Sequence, residues 1–208
     1  MENVTDPRPT GPTASGAPKS KIPGASRVRE GSRVVIIGGG PGGYEAALTA
    51  TQLGARVTII EDKGMGGSAV LTDVVPSKTL IASAEWLHNV ESADELGIVA
   101  SDEPWTVSFP AINARIRDLA TRQSDDIHER LSDEGVTILN GKGTILAGIG
   151  DNGCRLVLAK LADGTEQTLE AEMVLVATGA TPRELPDAKP DGERILNWTQ
   201  MYNMTELP

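Results

Sequence analysis

Gly38, Gly40 and Gly43 are spaced as G-x-G-x-x-G, between a short apolar run and a helix-forming one, which is the setting in which that spacing has chemical meaning. Glycine at the first place permits a tight turn. At the second it lets the backbone approach a pyrophosphate, and at the third it lets helix and sheet pack closely. Pro41 and Gly42 complete the first helical turn. Its free N–H groups and the helix dipole attract an anion by about 0.3–2 kcal/mol with no lysine or arginine needed. Glu61 ends the next apolar run, near the ~20-residue spacing at which a carboxylate accepts hydrogen bonds from ribose hydroxyls and repels a 2′-phosphate. The chemistry indicated is dinucleotide binding, and the turn serves NAD and FAD alike.

Other candidate groups carry less. Gly148, Gly150 and Gly153 repeat the spacing, but Cys154 to Leu161 then alternates like a strand and no helix follows, so these glycines read as a turn. His88 and His128 have no second histidine, cysteine or carboxylate at ligand spacing, so both read as surface residues and no metal is expected. Cys154 is the single cysteine, which excludes a disulfide framework and reads as a small buried hydrophobe. The acids from Ser124 to Glu134 read as a solvated helix face.

The elements that must hold the glycine turn follow from patterning. Arg33 to Ile37 reads as a buried strand, Tyr44 to Leu53 as a helix and Arg56 to Ile60 as a second strand, a βαβ order that implies parallel pairing. Pro76 to Val90 reads as a helix with proline in its first turn. Ile112, Ile116, Leu119, Ile127 and Leu131 place a longer amphipathic helix over about 111–134, followed by a third strand at Val136 to Leu139. From Thr144 to Glu170 short alternating runs break at Asp151-Asn152-Gly153 and Ala162-Asp163-Gly164, as in an antiparallel meander. Met173 to Ala177 is a further buried strand. The fold class expected is α/β: a Rossmann-like domain with a mostly parallel sheet and a small antiparallel meander, over residues 31–185. Residues 1–30, rich in Pro, Gly, Ser and Thr, are expected to be a disordered tail, and residues 186–208 an exposed connection.

Composition narrows the class. The 208 residues include only six aromatics, so the core must come from Val, Ile, Leu and Ala, as in helix-covered parallel sheets. A net charge of -10 argues against nucleic acid as a partner. No apolar run is long enough to span a bilayer, and no secretion signal is apparent, so a cytoplasmic location is expected.

Four segments together resemble the FAD domain of the flavoprotein disulfide reductases, the class I pyridine nucleotide-disulfide oxidoreductases that include dihydrolipoamide dehydrogenase and glutathione reductase. They are GGGPGG with Glu61, GGS with the later Pro-Ser-Lys, Gly141-Lys142-Gly143 after the third strand, and VLVATGATPR at Val174 to Arg183. The resemblance runs from Ser32 to the end of the chain. It implies FAD as cofactor, with Gly66, Gly67 and Ser68 along the pyrophosphate and flavin, Gly143 near the adenine, and Thr178 and Gly179 approaching from the far strand. It places Lys78 near the flavin N5 edge, where its charge favours the anionic reduced ring.

Two departures qualify what the resemblance implies. The family carries a pair of redox cysteines between the GGS and Pro-Ser-Lys segments, and Ala69 and Val74 stand in their places here. Neither side chain can form a thiolate, so disulfide exchange is excluded at this site. The chain is most similar to cysteine-less members that reduce quinones or other small diffusible acceptors directly from flavin. The alternative is a non-catalytic nucleotide-binding remnant. Family members also continue into a NAD-binding domain and a dimer domain, so NAD(P)H is expected as co-substrate, and a homodimer expected, only in a longer parent chain. The double replacement A69C/V74C is therefore expected to leave the 208-residue chain without lipoamide reductase activity, because the substrate pocket and its acid–base residue lie elsewhere. Lipoamide-dependent oxidation of NADH by that variant would overturn this expectation.

Overall fold

The computed structural model describes residues 28–98 and 106–206, so nearly all of the expected tail lies outside the described residues. Six strands form one sheet in the order β5-β4-β3-β2-β1-β6: β1 (Arg33–Ile37), β2 (Arg56–Glu61), β3 (Thr137–Ile149), β4 (Arg155–Leu161), β5 (Glu166–Ala171) and β6 (Met173–Val176). β1 pairs in parallel with β2 and β6, and β2 with β3. β3/β4 and β4/β5 are antiparallel. The helices are α1 (Pro41–Gln52), α2 (Gly67–Leu71), α3 (Val74–Glu91), α4 (Phe109–Asp133) and α5 (Trp198–Met201).

From Val34 to Ile37 β1 is apolar because both of its faces are covered. Val34 and Ile36 point to one side, where they pack with Val57, Ile59, Ala47 and Leu48 of α1, and Leu131 of α4. Val35 and Ile37 point to the other, against Ile60, Val157, Ala159 and Ala171 of the folded-over meander. The alternation is the two-residue period of a strand. Ile36, Ile59, Leu131 and Val157 are wholly buried. Each such side chain stabilises the fold by about 1.5–3 kcal/mol relative to exposure. Arg33 ties the layers at the strand's start, donating to Glu170 Oε2 on β5 and to the buried Cys154 Sγ, both at 3.0 Å.

The expected α/β architecture is the one observed, with local corrections: β6, expected to be buried, leaves Leu175 and Val176 37% and 59% exposed. The third strand does not stop at Leu139. It runs on to Ile149, pairing in parallel with β2 as far as Asn140 and then antiparallel with β4 from Gly141. Gly141-Lys142-Gly143 thus lies inside β3 and not after it. Glycine is needed at the crossover because a Cβ on Gly141 would overlap the Lys160 carbonyl. The helix around Pro76 begins two residues earlier, at Val74, with Pro76 buried in its first turn. Ahead of it sits α2, five residues long and too short to show a helical period in the sequence. The break at Gly153 is a short 3-10 turn leading directly into β4. At Ala162-Asp163-Gly164, Leu161 N donates to Thr165 O at 2.8 Å, closing the β4–β5 hairpin.

Within residues 186–206, most of which are exposed or half-buried, one short stretch is held against the fold. Asn197 and Gln200 form a reciprocal cap on α5, and Tyr202, which follows it, is 7% exposed. Arg117 Nη1 donates to the Tyr202 carbonyl at 3.0 Å, and Asn113 Nδ2 to the Met204 carbonyl at 2.7 Å, so α4 holds this segment through its backbone. Burial, with a smaller contribution from the Asp73 charge, pushes the Tyr202 phenol above its ordinary value, and a hydrogen bond with Ser77 opposes the rise. A raised folded value means that stability from neutral Tyr202 is intact below the unfolded value of about 10 and is lost as pH rises through the folded one. Stability is expected to fall as pH rises above about 10, and to fall less in Tyr202→Phe. Urea melts across that range, giving the same loss in both proteins, would refute the assignment.

Candidate dinucleotide site

The glycine turn follows β1 directly, and its three motif glycines have different reasons to be glycine. Gly38 has φ +107°, and a Cβ there would overlap the Ala177 carbonyl at the end of β6. A Cβ on Gly43 would overlap the Gly38 carbonyl, so this glycine seats α1 against the turn. Gly40 differs from both. Its φ of -68° suits any residue, and a Cβ there would meet nothing nearer than the Gly67 Cα at 4.0 Å. A Cβ on Gly42 would meet nothing within 4 Å. The N–H groups of Gly40 and Gly42 have no acceptor among the described residues. The fold thus leaves space and donors together at the start of α1, which is what an anionic phosphate needs.

A second glycine turn closes on the first. Gly66 (φ +89°) and Gly67 (φ +55°) lead into α2, and Gly66 N donates to Gly39 O at 2.8 Å. A Cβ on Gly67 would lie 2.8 Å from the Gly40 Cα, so Gly67 has no room for a side chain on the face it turns to Gly40. Ser68 follows, exposed, in the first turn of α2. Glu61, at the end of β2, reaches into the same junction. Its Oε2 accepts from Gly39 N at 2.6 Å, and its Oε1 from Asp62 N at 2.9 Å and Lys63 N at 2.8 Å. These bonds use three of the roughly four lone-pair positions of a carboxylate. Glu61 therefore fixes the turn as well as presenting charge beside it, a structural role that the motif spacing does not reveal. Gly39, an unspecified position of the motif, is the residue that joins Glu61 and Gly66.

The far strand completes the crevice. Ala177 N donates to Ile37 O at 2.8 Å, which brings Thr178 and Gly179 to the C-terminal ends of β1 and β6. Both are exposed, Gly179 has φ +68°, and nothing lies within 4 Å of where its Cβ would stand. Connections leave β1 for β2 on one side and return to β6 on the other, so the turn sits at the switch in strand order where open α/β sheets bind ligands. Gly143 is on β3 with its Cβ direction aimed at Ile37 and Ile60, about 3.0 Å from their side chains, so a side chain there would press on both.

Ala69 lies in α2, half-buried, while Val74 opens α3 and is 44% exposed. Lys78 is exposed on the first turns of α3 and makes no ion pair among the described residues. His88, His128 and the acids of the second half of α4 are exposed, and no trio of His, Cys, Asp or Glu among the described residues could hold a metal.

The contrast between Gly40 and Gly43 can be tested. Gly43→Ala is expected to cost about 1–3 kcal/mol through overpacking against the turn. Gly40→Ala should leave stability nearly unchanged and weaken FAD binding about ten- to a hundredfold, the worth of one or two hydrogen bonds to a charged group. Urea melts and spectroscopic FAD titrations separate the two effects. Equal destabilisation by both substitutions would mean that Gly40 serves packing only.

The comparisons with known proteins agree with this geometry. The sequence model of the family described as pyridine nucleotide-disulphide oxidoreductase matches residues 32–206. The NAD(P)H dehydrogenase (quinone) of Mycobacterium tuberculosis is 45% identical over 180 residues, covering 85% of this chain and 36% of the relative. A dihydrolipoyl dehydrogenase of Zymomonas mobilis is 33% identical over 166 residues, covering 80% and 34%. The crystal structure of LpdA from Mycobacterium tuberculosis superposes with a TM-score of 0.77 at 44% identity, covering 85% of this chain and 38% of that one. The chain thus spans about a third of the length of the curated relatives it matches. With the fold, the glycine crevice and a match over most of its length in agreement, the chain belongs to the pyridine nucleotide-disulphide oxidoreductase family.

Proposed function

We propose that this chain forms the FAD-binding part of a flavoprotein oxidoreductase that passes electrons from NAD(P)H through FAD to a small diffusible acceptor such as a quinone, without a redox disulfide. One observation carries the reading. The two family cysteine places hold Ala69 and Val74, while the glycine crevice with its free N–H groups is intact. The similarity to a relative named NAD(P)H dehydrogenase (quinone) supports it. A cytoplasmic setting is in keeping with a single, unpaired cysteine.

The residues divide the work. Gly40 and Gly42, with Gly66, Gly67 and Ser68 opposite, would receive the pyrophosphate through backbone donors. Glu61 would take the adenosine ribose hydroxyls with its remaining acceptor capacity, and its charge disfavours a 2′-phosphate. Gly143 would let the adenosine end lie close to β3. Thr178 and Gly179 would border the cofactor from β6. Lys78 would place a fixed positive charge beside the ring's reactive edge. Bound FAD would supply hydride acceptance from the nicotinamide and delivery of electrons to the acceptor. Ala69 and Val74 would give the acceptor-facing wall an inert, apolar character, so that nothing on the protein competes for the electrons.

The test is a visible spectrum of the purified chain after addition of FAD and removal of the excess, followed by turnover in the full-length protein. Retained flavin bands are expected, with NAD(P)H oxidation that depends on quinone and ignores lipoamide. Lys78→Met is expected to lower that turnover about tenfold or more, as loss of a preorganised charge does. A colourless chain would remove the FAD assignment, and lipoamide-dependent turnover would remove the direct-acceptor reading.

A further inference from the structure

Along α4 one stripe is buried, through Asn113, Ile116, Ala120, Ser124 and Leu131, with Ile127 half-buried between the last two. The spacing is that of a single helix face. Leu131 and Ile127 pack with β1, β2 and α1 in the core, which fixes where the helix lies. Ser124 stands one turn before Ile127 and is 8% exposed, a hydroxyl in a mostly apolar stripe. What comes close to it is backbone. A Cβ on Gly64 would lie 3.2 Å from Ser124 Oγ and 3.2 Å from Leu71 Cδ1, and a Cβ on Gly66 would lie 3.2 Å from Ile127 Cδ1. One turn of α4 thus rests on the loop that runs from β2 into α2. The same loop is tied on its other side to the first glycine turn, with Gly66 N donating to Gly39 O at 2.8 Å. Gly64 has φ +125° and Gly66 φ +89°, conformations that favour glycine, so the contact with α4 is made by the side chains of the helix alone.

We propose that Ser124 is a positioning residue for the dinucleotide site: its small side chain sets where the second glycine turn stands against the first, and so where Gly66, Gly67 and Ser68 face the free N–H groups of Gly40 and Gly42. The inference rests on the reading of that site given above. Because the core holds α4, a wider side chain at 124 must move the loop and not the helix. A displaced loop spoils the geometry of the bond between Gly66 and Gly39.

Graded replacements at this one position test the proposal. In the 208-residue chain without FAD, exchange of the Gly66 amide hydrogen is expected to rise roughly three- to tenfold in Ser124→Val, the worth of the one hydrogen bond it makes, and further in Ser124→Leu. The rise should exceed that of the amides of β1. Ser124→Ala, which keeps the space and loses only the hydroxyl, should leave the exchange unchanged. FAD affinity of the folded chains should follow the same order, unaltered in Ser124→Ala and about tenfold weaker in Ser124→Val. Should Ser124→Leu fail to fold, the valine and alanine variants carry the comparison. A rise at Gly66 no greater than that in β1 would mean a general loss of stability and would overturn the proposal. So would equal loss of FAD affinity in Ser124→Ala and Ser124→Val, which would assign the effect to the hydroxyl. A wild-type chain that takes up no FAD would instead strike at the dinucleotide reading, and this inference would fall with it. A wild type that holds FAD beside an unresponsive Ser124→Val would strike at this inference alone.

Discussion

The junction at Gly39 is the constraint on which the site depends. Its N–H is held by the Glu61 carboxylate at 2.6 Å and its carbonyl by Gly66 N at 2.8 Å, so one residue joins the end of β2, the turn after β1 and the start of α2. A side chain at this position would stand 2.8 Å from Met65 Sδ and 3.0 Å from Glu61 Cγ, and would press on the carboxylate side chain that holds the turn. Because the turn is clamped on both sides, the N–H groups of Gly40 and Gly42 are presented before any ligand arrives. Donors that need no reorganisation cost little to engage.

Around that clamp the molecule is unequally held. The sheet carries two packed faces, one under α1 and α4 and the other under the meander, with wholly buried side chains in each. On the other side of the crevice α3 packs on α2 and α4 with a partly buried face, and Pro76 is its one buried residue. The glycine turns are thus tied to the core, while Val74 and Lys78 stand exposed on the first turns of α3. Ala69 and Val74, in α2 and α3, place a methyl and an isopropyl group there, and neither side chain belongs to the buried core beneath the glycine turns.

Much of this was legible in the sequence where a period or a motif spans several residues. β1, α1, β2 and α4 follow from their apolar repeats, and Gly38 and Gly43 from the turn they must make. What was not legible depends on contacts between distant residues. The continuation of β3 past Leu139 is set by the partner it acquires in β4, not by its own composition. α2 is too short to show a period. Glu61 advertised a charge by its spacing, but its grip on Gly39 belongs to the folded turn. Gly143 was assigned to the adenine by resemblance, and the fold adds a packing demand from Ile37 and Ile60 that the motif does not contain. Tyr202 carried no signal, since a lone tyrosine after a proline-rich stretch looks solvent-facing until α4 is seen to grip the backbone beside it.

The strand order has a consequence for how the chain is made. β1, nearly the first described segment, lies between β2 and β6, and β6 is the last strand, with Val34 paired to Met173. During synthesis β1 and β2 can meet early, but one edge of β1 stays open until everything through the meander has left the ribosome. Such long-range closure is slow and leaves a bare apolar strand edge exposed in the interval. The segment that opens the crevice is therefore translated before its last strand partner and secured only once β6 has emerged.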